Sequence, residues 1–198
     1  MNTLEIRDQK REIRKEVREK VRKISEKNVL NFSHAAAELL LQQEQWMTAR
    51  NLLGYLALKD EIELSAVLKA AFNSGKTVAL PRFIPETGLY GAAVLPEKEG
   101  FATLSFGRFG VLEPAGTAPI LPLNQLDFVL VPGVAFDPSG KRLGRGKGFY
   151  DRLLADTNNS CIKCGVALDE QLVAAIPAES HDVSMNFILT PTRWIACK

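Results

Sequence analysis

The sequence predicts an α/β domain with a helical arm at its N-terminus. Three observations carry this expectation. The first segment is charged with helical apolar spacing, short apolar runs then alternate with helical stretches, and a glycine-rich basic loop sits between a buried strand and a helix.

A chain of 198 residues, 46% of them hydrophobic, suffices for one large or two small domains with a substantial core. No internal repeat or low-complexity linker divides it, so one domain over 1–198 is expected, helical over 1–48 with an α/β body over 49–198. No apolar run approaches the ~18 residues of a membrane span. The start, MNTLEIRDQKREIRK, lacks the apolar region of a secretory signal. Three cysteines cannot all pair with each other, which fits a reduced compartment. A cytoplasmic protein without a membrane partner is therefore expected. The net charge of +2 argues against a wholesale nucleic-acid coat, but it is a sum of unlike parts. Residues 1–28 hold ten Lys/Arg and six Asp/Glu, whereas the remainder holds 15 and 17.

The basic excess has helical shape. At about 100° per residue, Ile6, Ile13, Val17, Val21 and Ile24 fall on one stripe. Lys10 and Arg14 lie closest to that stripe, one turn apart, and should face the body of the protein. A solvated amphipathic helix is the plain alternative to two cations aimed at an anionic ligand. A second helix is expected from about Val29 to Thr48, with Leu30, Ala36, Leu39, Leu40 and Trp46 inward. NLLGYLALK at 51–59 suits a buried strand, and DEIELSAVLKAAFNSG at 60–75 a helix stopped by Gly75. KTVALPRF at 76–83 completes a parallel βαβ unit, as a strand interrupted at Pro81. Residues 84–126 are read as small edge strands and loops. LDFVLVPG is the clearest buried strand, followed by a long loop, a helix from Phe149 to Asp156 and the strand CIKCGVAL. A short helix near Glu170–Ala175 and terminal strands at FILT and RWIAC follow.

The chemistry lies in VPGVAFDPSGKRLGRGKGFYDRLL. Gly144, Gly146 and Gly148 alternate with cations, and Lys141, Arg142, Arg145, Lys147 and Arg152 are answered locally only by Asp151. Glycines let backbone N–H groups approach a ligand, and a helix N-terminus favours an anion. A phosphate cradle beyond the end of a sheet strand is the expectation. The spacing is neither GxxxxGK[ST] nor GxGxxG, and a flexible basic loop that binds nothing, or binds nucleic acid, is the alternative. Asp151 can serve the helix dipole or hold Mg²⁺ against a nucleotide. Asp182, in the polar loop PAESHDVSMNF, is the second candidate acid, and by itself a turn residue.

The run RLGRGKGFYD after PGVAFD resembles the signature of the 5-formyltetrahydrofolate cyclo-ligases, also called methenyltetrahydrofolate synthetases. Further segments agree in order: KxxxR at Lys10 and Arg14, YLALKDEIE at 55–63, PRF at 81–83, FGVLEP at 109–114, DEQL at 169–172 and HDV at 181–183. The resemblance implies a three-layer α/β/α fold with a largely parallel central sheet, of the NagB/RpiA/CoA-transferase-like kind. It implies a monomer that takes ATP and 5-formyltetrahydrofolate and uses Mg²⁺. Lys10, Arg14 and the loop Arg142, Leu143, Gly144, Arg145, Gly146, Lys147, Gly148, Phe149 and Tyr150 would then touch ATP. Leu56 and Glu61 would face the folate, with Arg145, Gly146, Lys147, Gly148 and Phe149. Asp151 and Asp182 would hold Mg²⁺, and Arg145 and Lys147 would be catalytic clamps on the transferring phosphoryl group. For Glu61, a first-turn helix acid is the alternative. Phe149 departs from the tyrosine often found there, and Asn186 stands where an aspartate is common, so no metal role is carried to it.

Cys161 and Cys164 form a CxxC without a second pair, and within a strand they point to opposite faces, so packing is expected. His34 should be structural or exposed, and His181 an orienter of the metal loop or an ordinary loop histidine. Two rivals stand beside the enzyme: a polyanion-binding protein without ATP turnover, and a catalytically divergent paralogue that binds folate or another small substrate.

Overall fold

The computed structural model describes residues 3–96, 100–107, 110–179 and 181–198. Phe109, the first residue of FGVLEP, lies outside the described residues. Helix α1 (Thr3–Val21) forms on the expected stripe, with Val17 and Val21 buried and Ile13 and Ile24 packed against the core. The predicted second helix is two: α2 (Glu26–Leu41) and α3 (Glu44–Thr48). Ser25 caps α2 by accepting from the Asn28 N–H. At its end the Gln43 side chain donates to the Leu39 carbonyl at 2.8 Å, drawing the chain out of the helix. Ala36, Leu40 and Trp46 point inward as expected, but Leu30 is exposed, because α2 is rotated to bury Ser33, Ala36, Ala37 and Leu40.

Strand β1 (Asn51–Leu53) is shorter than the apolar run suggests, and the chain then leaves the sheet. The helix predicted from residue 60 starts only at Ser65: α4 spans Ser65–Asn73. Two local bonds prevent an earlier start. Tyr55 Oη donates to the Ile62 carbonyl at 2.8 Å, and the Glu61 carboxylate accepts the Leu58 N–H at 3.0 Å. The Glu63 carboxylate then accepts the N–H and hydroxyl of Ser65, taking the place of a capping side chain. Strand β2 (Thr77–Ile84) runs through Pro81 without interruption. Gly54 N–H bonds Ala79 O on the β1 side; Pro81, two residues on, has its nitrogen on that same side, beyond the end of β1, where a missing donor costs nothing.

The remaining strands are β3 (Leu89–Val94), β4 (Leu104–Phe106), β5 (Leu112–Pro114), β6 (Ile120–Leu121), β7 (Phe128–Pro132), β8 (Ala135–Phe136), β9 (Arg142–Leu143), β10 (Ile162–Val166), β11 (Phe187–Leu189) and β12 (Trp194–Ala196). Helix α5 (Phe149–Ala155) precedes β10, and the helix expected near residue 170 is a 3-10 turn, Asp169–Gln171. Eight strands form one sheet in the order β12-β11-β10-β7-β1-β2-β3-β6. The five from β11 to β2 are parallel; β12 and β3 run antiparallel to them, and β6, antiparallel to β3, returns to their direction. Side chains alternate between the faces: Leu52, Phe128, Leu130 and Leu189 meet α1–α4, whereas Leu53, Val129, Val131 and Ile188 meet α5 and Met185. This is the expected three-layer arrangement with a largely parallel sheet.

The loop after β7 is more ordered than predicted. β8 and β9 pair as a hairpin, and its turn is built on Asp137, whose carboxylate accepts from Ser139 N, Ser139 Oγ, Lys141 N and Ile176 N. That turn fixes where Arg142 and the glycine loop begin. Cys161 and Cys164 are buried on opposite faces, as expected; burial pushes the Cys161 thiol up to about 11 and Cys164 higher still. His34 is exposed.

Phe128 anchors the central strand: it is fully buried and meets Trp46 edge-on at 5.9 Å. Phe128→Ala should lower unfolding free energy by about 3–5 kcal/mol, read from the shift of a urea unfolding midpoint.

Candidate active site

Connections from β1 lead to β2 on one side, and those from β7 lead to β10 on the other. The chain therefore diverges between neighbours β1 and β7, and the segments leaving their carboxyl ends cannot close over each other. A cleft of about 890 Å³ opens there. Its walls are the segment after β1, the end of β2, the turn after β7, the glycine loop, α1 and the Glu179–Asp182 loop. Lys10, Arg14, Leu56, Glu61, every residue from Arg142 to Asp151, and Asp182 all line it. Residues 172 positions apart in sequence thus share one cavity.

Helix α1 delivers its two inner cations. Lys10 is buried, and its Nζ donates to Asp182 Oδ2 at 2.7 Å and Glu179 Oε2 at 3.0 Å. Asp182 Oδ2 also accepts the Glu179 N–H at 2.8 Å. Burial works against the Lys10 ammonium, but the two carboxylates outweigh it and hold its pKa above the ordinary value. Burial likewise opposes the Asp182 carboxylate, and the bonds from Lys10 and Glu179 N–H reverse that, holding it below the usual range. Arg14 Nε donates to the Gly144 carbonyl at 2.9 Å, tying the arm to the glycine loop. The solvated-helix alternative fits Arg7, Arg11, Arg18 and Arg22, which are exposed, and fails for Lys10.

The three glycines have different reasons to be there. Gly146 and Gly148 have φ of 102° and 59°, backbone that a side chain would strain. Gly144 has ordinary backbone; a Cβ there would fall 2.7 Å from Arg142 Nη1. Arg142 itself is buried, with Nη2 on Asp151 Oδ1 at 2.9 Å and its guanidinium 5.5 Å from the Tyr150 ring centre. Its Nε has no hydrogen-bond partner among the described residues. Arg145 reaches across the cleft: Nη2 lies 2.7 Å from Asp60 Oδ1 and 2.9 Å from Glu61 Oε1. Glu61 is therefore a buried loop acid, and the helix alternative falls. Lys147 lies exposed at the loop tip, and its carbonyl accepts from Arg152 Nη2.

The opposite wall is apolar. Phe149 meets Tyr90 at 4.2 Å and Tyr150 at 4.7 Å, and Tyr90 meets Phe83 at 5.5 Å, all edge-on. Leu56, Val111 and Leu112 extend this wall. Sequence reasoning missed Tyr90, Glu179 and Asp60. Tyr90 sits in an unremarkable edge strand, and Glu179 and Asp60 become visible only through cations 169 and 85 positions away.

Asp151 and Asp182 offer hard oxygen donors to the same cleft. Their ion pairs take Asp151 Oδ1 and Asp182 Oδ2; Asp182 Oδ1 lies 3.7 Å from His181 Nε2. Magnesium takes one or two carboxylates and completes its shell with phosphate oxygens and water, so these two residues fit it. Asn186 lies apart, its Oδ1 accepting from Lys163 N–H at the start of β10.

Fold and cleft together define a switch-point α/β ligand-binding protein, cationic on one wall and aromatic on the other. The chain belongs to the 5-formyltetrahydrofolate cyclo-ligase family, whose sequence model matches residues 6–191. It is 34% identical to the 5-formyltetrahydrofolate cyclo-ligase of Haemophilus influenzae, over 89% of this chain and 96% of that one. It is 36% identical to that of Mycolicibacterium smegmatis, over 75% and 77%. The solution structure of the 5,10-methenyltetrahydrofolate synthetase of Aquifex aeolicus superposes with a TM-score of 0.83, at 28% identity over 96% and 93% of the chains. Membership makes this chain a ring-forming ligase of folate one-carbon metabolism.

The Lys10 cluster has a pH signature. Its contribution to stability is complete above the ordinary aspartate value of 3.8 and is lost as pH falls through the depressed value of Asp182. On the alkaline side it survives past 10.5 and is lost only as pH rises through the raised value of Lys10. Lys10→Met should cost about 1 kcal/mol at pH 7. Denaturant midpoints taken at pH 7 and pH 3 should show the gap to wild type narrowing at the lower pH.

Proposed function

We propose that this chain converts 5-formyltetrahydrofolate to 5,10-methenyltetrahydrofolate at the expense of ATP, releasing ADP and phosphate. The observation that carries this reading is the single cleft with a cationic wall facing an aromatic one. A polyphosphate and a flat ring system need those two surfaces side by side.

The formyl oxygen is a poor nucleophile and a poor leaving group. Transfer of the γ-phosphoryl group to that oxygen makes the carbon electrophilic and turns the oxygen into part of phosphate. N10 then forms its bond to the carbon, the C–O bond breaks, phosphate departs with the oxygen, and N10 gives up its proton. The protein's task is to hold the formyl oxygen in line with the phosphoryl group and to meet charge spread over the equatorial oxygens.

The residues divide this work by position. Lys10, Arg14 and the loop from Arg142 to Tyr150 face the triphosphate, with exposed Lys147 at the loop tip as a point charge. Arg142 acts through Asp151, which it holds by a 2.9 Å ion pair. Asp151 and Asp182 would hold Mg²⁺, which when bound neutralises charge on the phosphate oxygens. Leu56, Phe149 and Tyr90 provide the wall for the pterin ring, and Glu61, buried beside it, can accept hydrogen bonds from pterin N–H groups. Phe149 keeps this packing without a hydroxyl. Arg145, on the same wall, bears on both substrates.

The Arg14–Gly144 bond also supports reading 1–198 as one catalytic domain, whose helical part completes the site. No helix among the described residues is long and apolar enough to cross a membrane. A cytoplasmic monomer without a nucleic-acid partner is the reading that accompanies this activity.

Purified protein mixed with MgATP and 5-formyltetrahydrofolate should produce methenyl absorbance and ADP in equal amounts. Absence of both products would overturn the proposal. Lys147→Ala should lower kcat at least about 100-fold, as loss of one transition-state clamp does, with an unchanged unfolding midpoint. Turnover within a few-fold of wild type would remove Lys147 from the catalytic set.

A further inference from the structure

Arg145 is the cation that the reaction needs at the phosphoryl group, yet here it is occupied. Its Nη2 is shared between Asp60 at 2.7 Å and Glu61 at 2.9 Å, and its Nε lies 3.3 Å from Glu61 Oε1. The two acids differ. Glu61 is buried in the cleft wall, bonded to Leu58 N–H, and positioned for the folate. Asp60 is half-exposed, is absent from the cleft lining, and has the Arg145 pair as its closest polar contact. These bonds take the Nε and both Nη2 N–H groups, and while they last those donors and the fork they orient are held on the carboxylates, leaving only the Nη1 edge for phosphate.

We propose that Asp60 is a positioning residue that holds Arg145 in a resting place on the folate wall until the substrate takes Glu61. The inference rests on the reading above. When pterin N–H groups bond the Glu61 carboxylate, Arg145 loses the better buried of its two partners. The remaining bond to Asp60 is a half-exposed ion pair, weak enough to exchange for a phosphoryl oxygen. Gly144 before it is tied to Arg14, and Gly146 after it, at φ 102°, is where the loop backbone can follow. Arg145 thus reaches the nucleotide only when the acceptor is in place. Without folate the resting arginine leaves the phosphoryl group under-stabilised, and water does not substitute for the formyl oxygen as nucleophile.

This makes a two-state element with a definite sign. Removing the Asp60 charge frees Arg145 more often. The folate then competes against a weaker resting state, so its apparent affinity rises by the fraction released. The loss of one half-exposed pair limits that gain to about threefold to fivefold. In the absence of folate, water would attack the γ-phosphorus more often: the bond to the ADP oxygen breaks, ADP leaves, and the water proton is released with phosphate.

The test compares wild type, Asp60→Asn and Asp60→Glu, each checked for an unchanged urea unfolding midpoint. Two quantities are read: ADP formed from MgATP without folate, and KM against kcat for 5-formyltetrahydrofolate in methenyl formation. Asp60→Asn should form ADP without folate about threefold to fivefold faster than wild type. Its KM should fall by a similar factor with kcat within about twofold. Asp60→Glu, which keeps the charge, should return both towards wild type. Both shifts are required; either one remaining at the wild-type value, or a fall in kcat at fixed KM, overturns the proposal. A wild-type protein that makes no methenyl product would instead fail the underlying reading.

Discussion

Burial of Val17 and Val21 on the sheet face fixes everything that α1 does. A helix cannot bury one stripe without carrying its neighbours part of the way in, and the neighbours here are Lys10 and Arg14. Cations taken out of water need partners, and the partners found are Asp182, Glu179 and the Gly144 carbonyl. Those contacts decide where the Glu179–Asp182 loop and the glycine loop sit relative to the sheet. The arm is thereby a wall of the cleft.

The same logic repeats inside the cleft. Lys10, Arg142 and Arg145 each have a carboxylate within 3 Å. A site for a polyanion built from unpaired buried cations would be self-repelling before the ligand arrived. Pairing each cation removes that cost and keeps the guanidiniums oriented, at the price of an exchange when phosphate enters. Lys10, from the basic N-terminal segment, meets acids supplied by a loop from the far end of the chain.

Regular elements were legible where a local period controls them. The α1 stripe, the buried run at Phe128–Pro132, and the glycine loop between strand and helix could all be read, as could the residues of the candidate site that lie within it. What failed was decided by contacts between elements. DEIEL has good helix formers, yet Tyr55 and Leu58 claim the Ile62 carbonyl and the Glu61 carboxylate, and the turn wins over propensity. Pro81 looked like a strand breaker because its position beyond the end of β1 is a matter of register, which one strand cannot announce. Leu30 was placed inward by spacing; only the docking angle of α2 could place it outward. Glu179 carried no motif, and Asp60, though inside YLALKDEIE, carried no role there; both acquired meaning from distant cations.

The glycine loop shows how one sequence pattern can hide several causes. Alternating glycines suggested one purpose, backbone approach to a ligand. In the folded chain Gly146 and Gly148 satisfy backbone conformations of positive φ, while Gly144 makes room for the Arg142 side chain. Arg142, so accommodated, reaches back to Asp151 in α5. The loop is therefore braced at its start, through Arg14 and Arg142, and reaches the facing acids further on, through Arg145. A base held at two points, with its next cation exchanging carboxylate for phosphate, is what a site needs if it is to receive a nucleotide in a fixed place and still adjust to the substrate that follows.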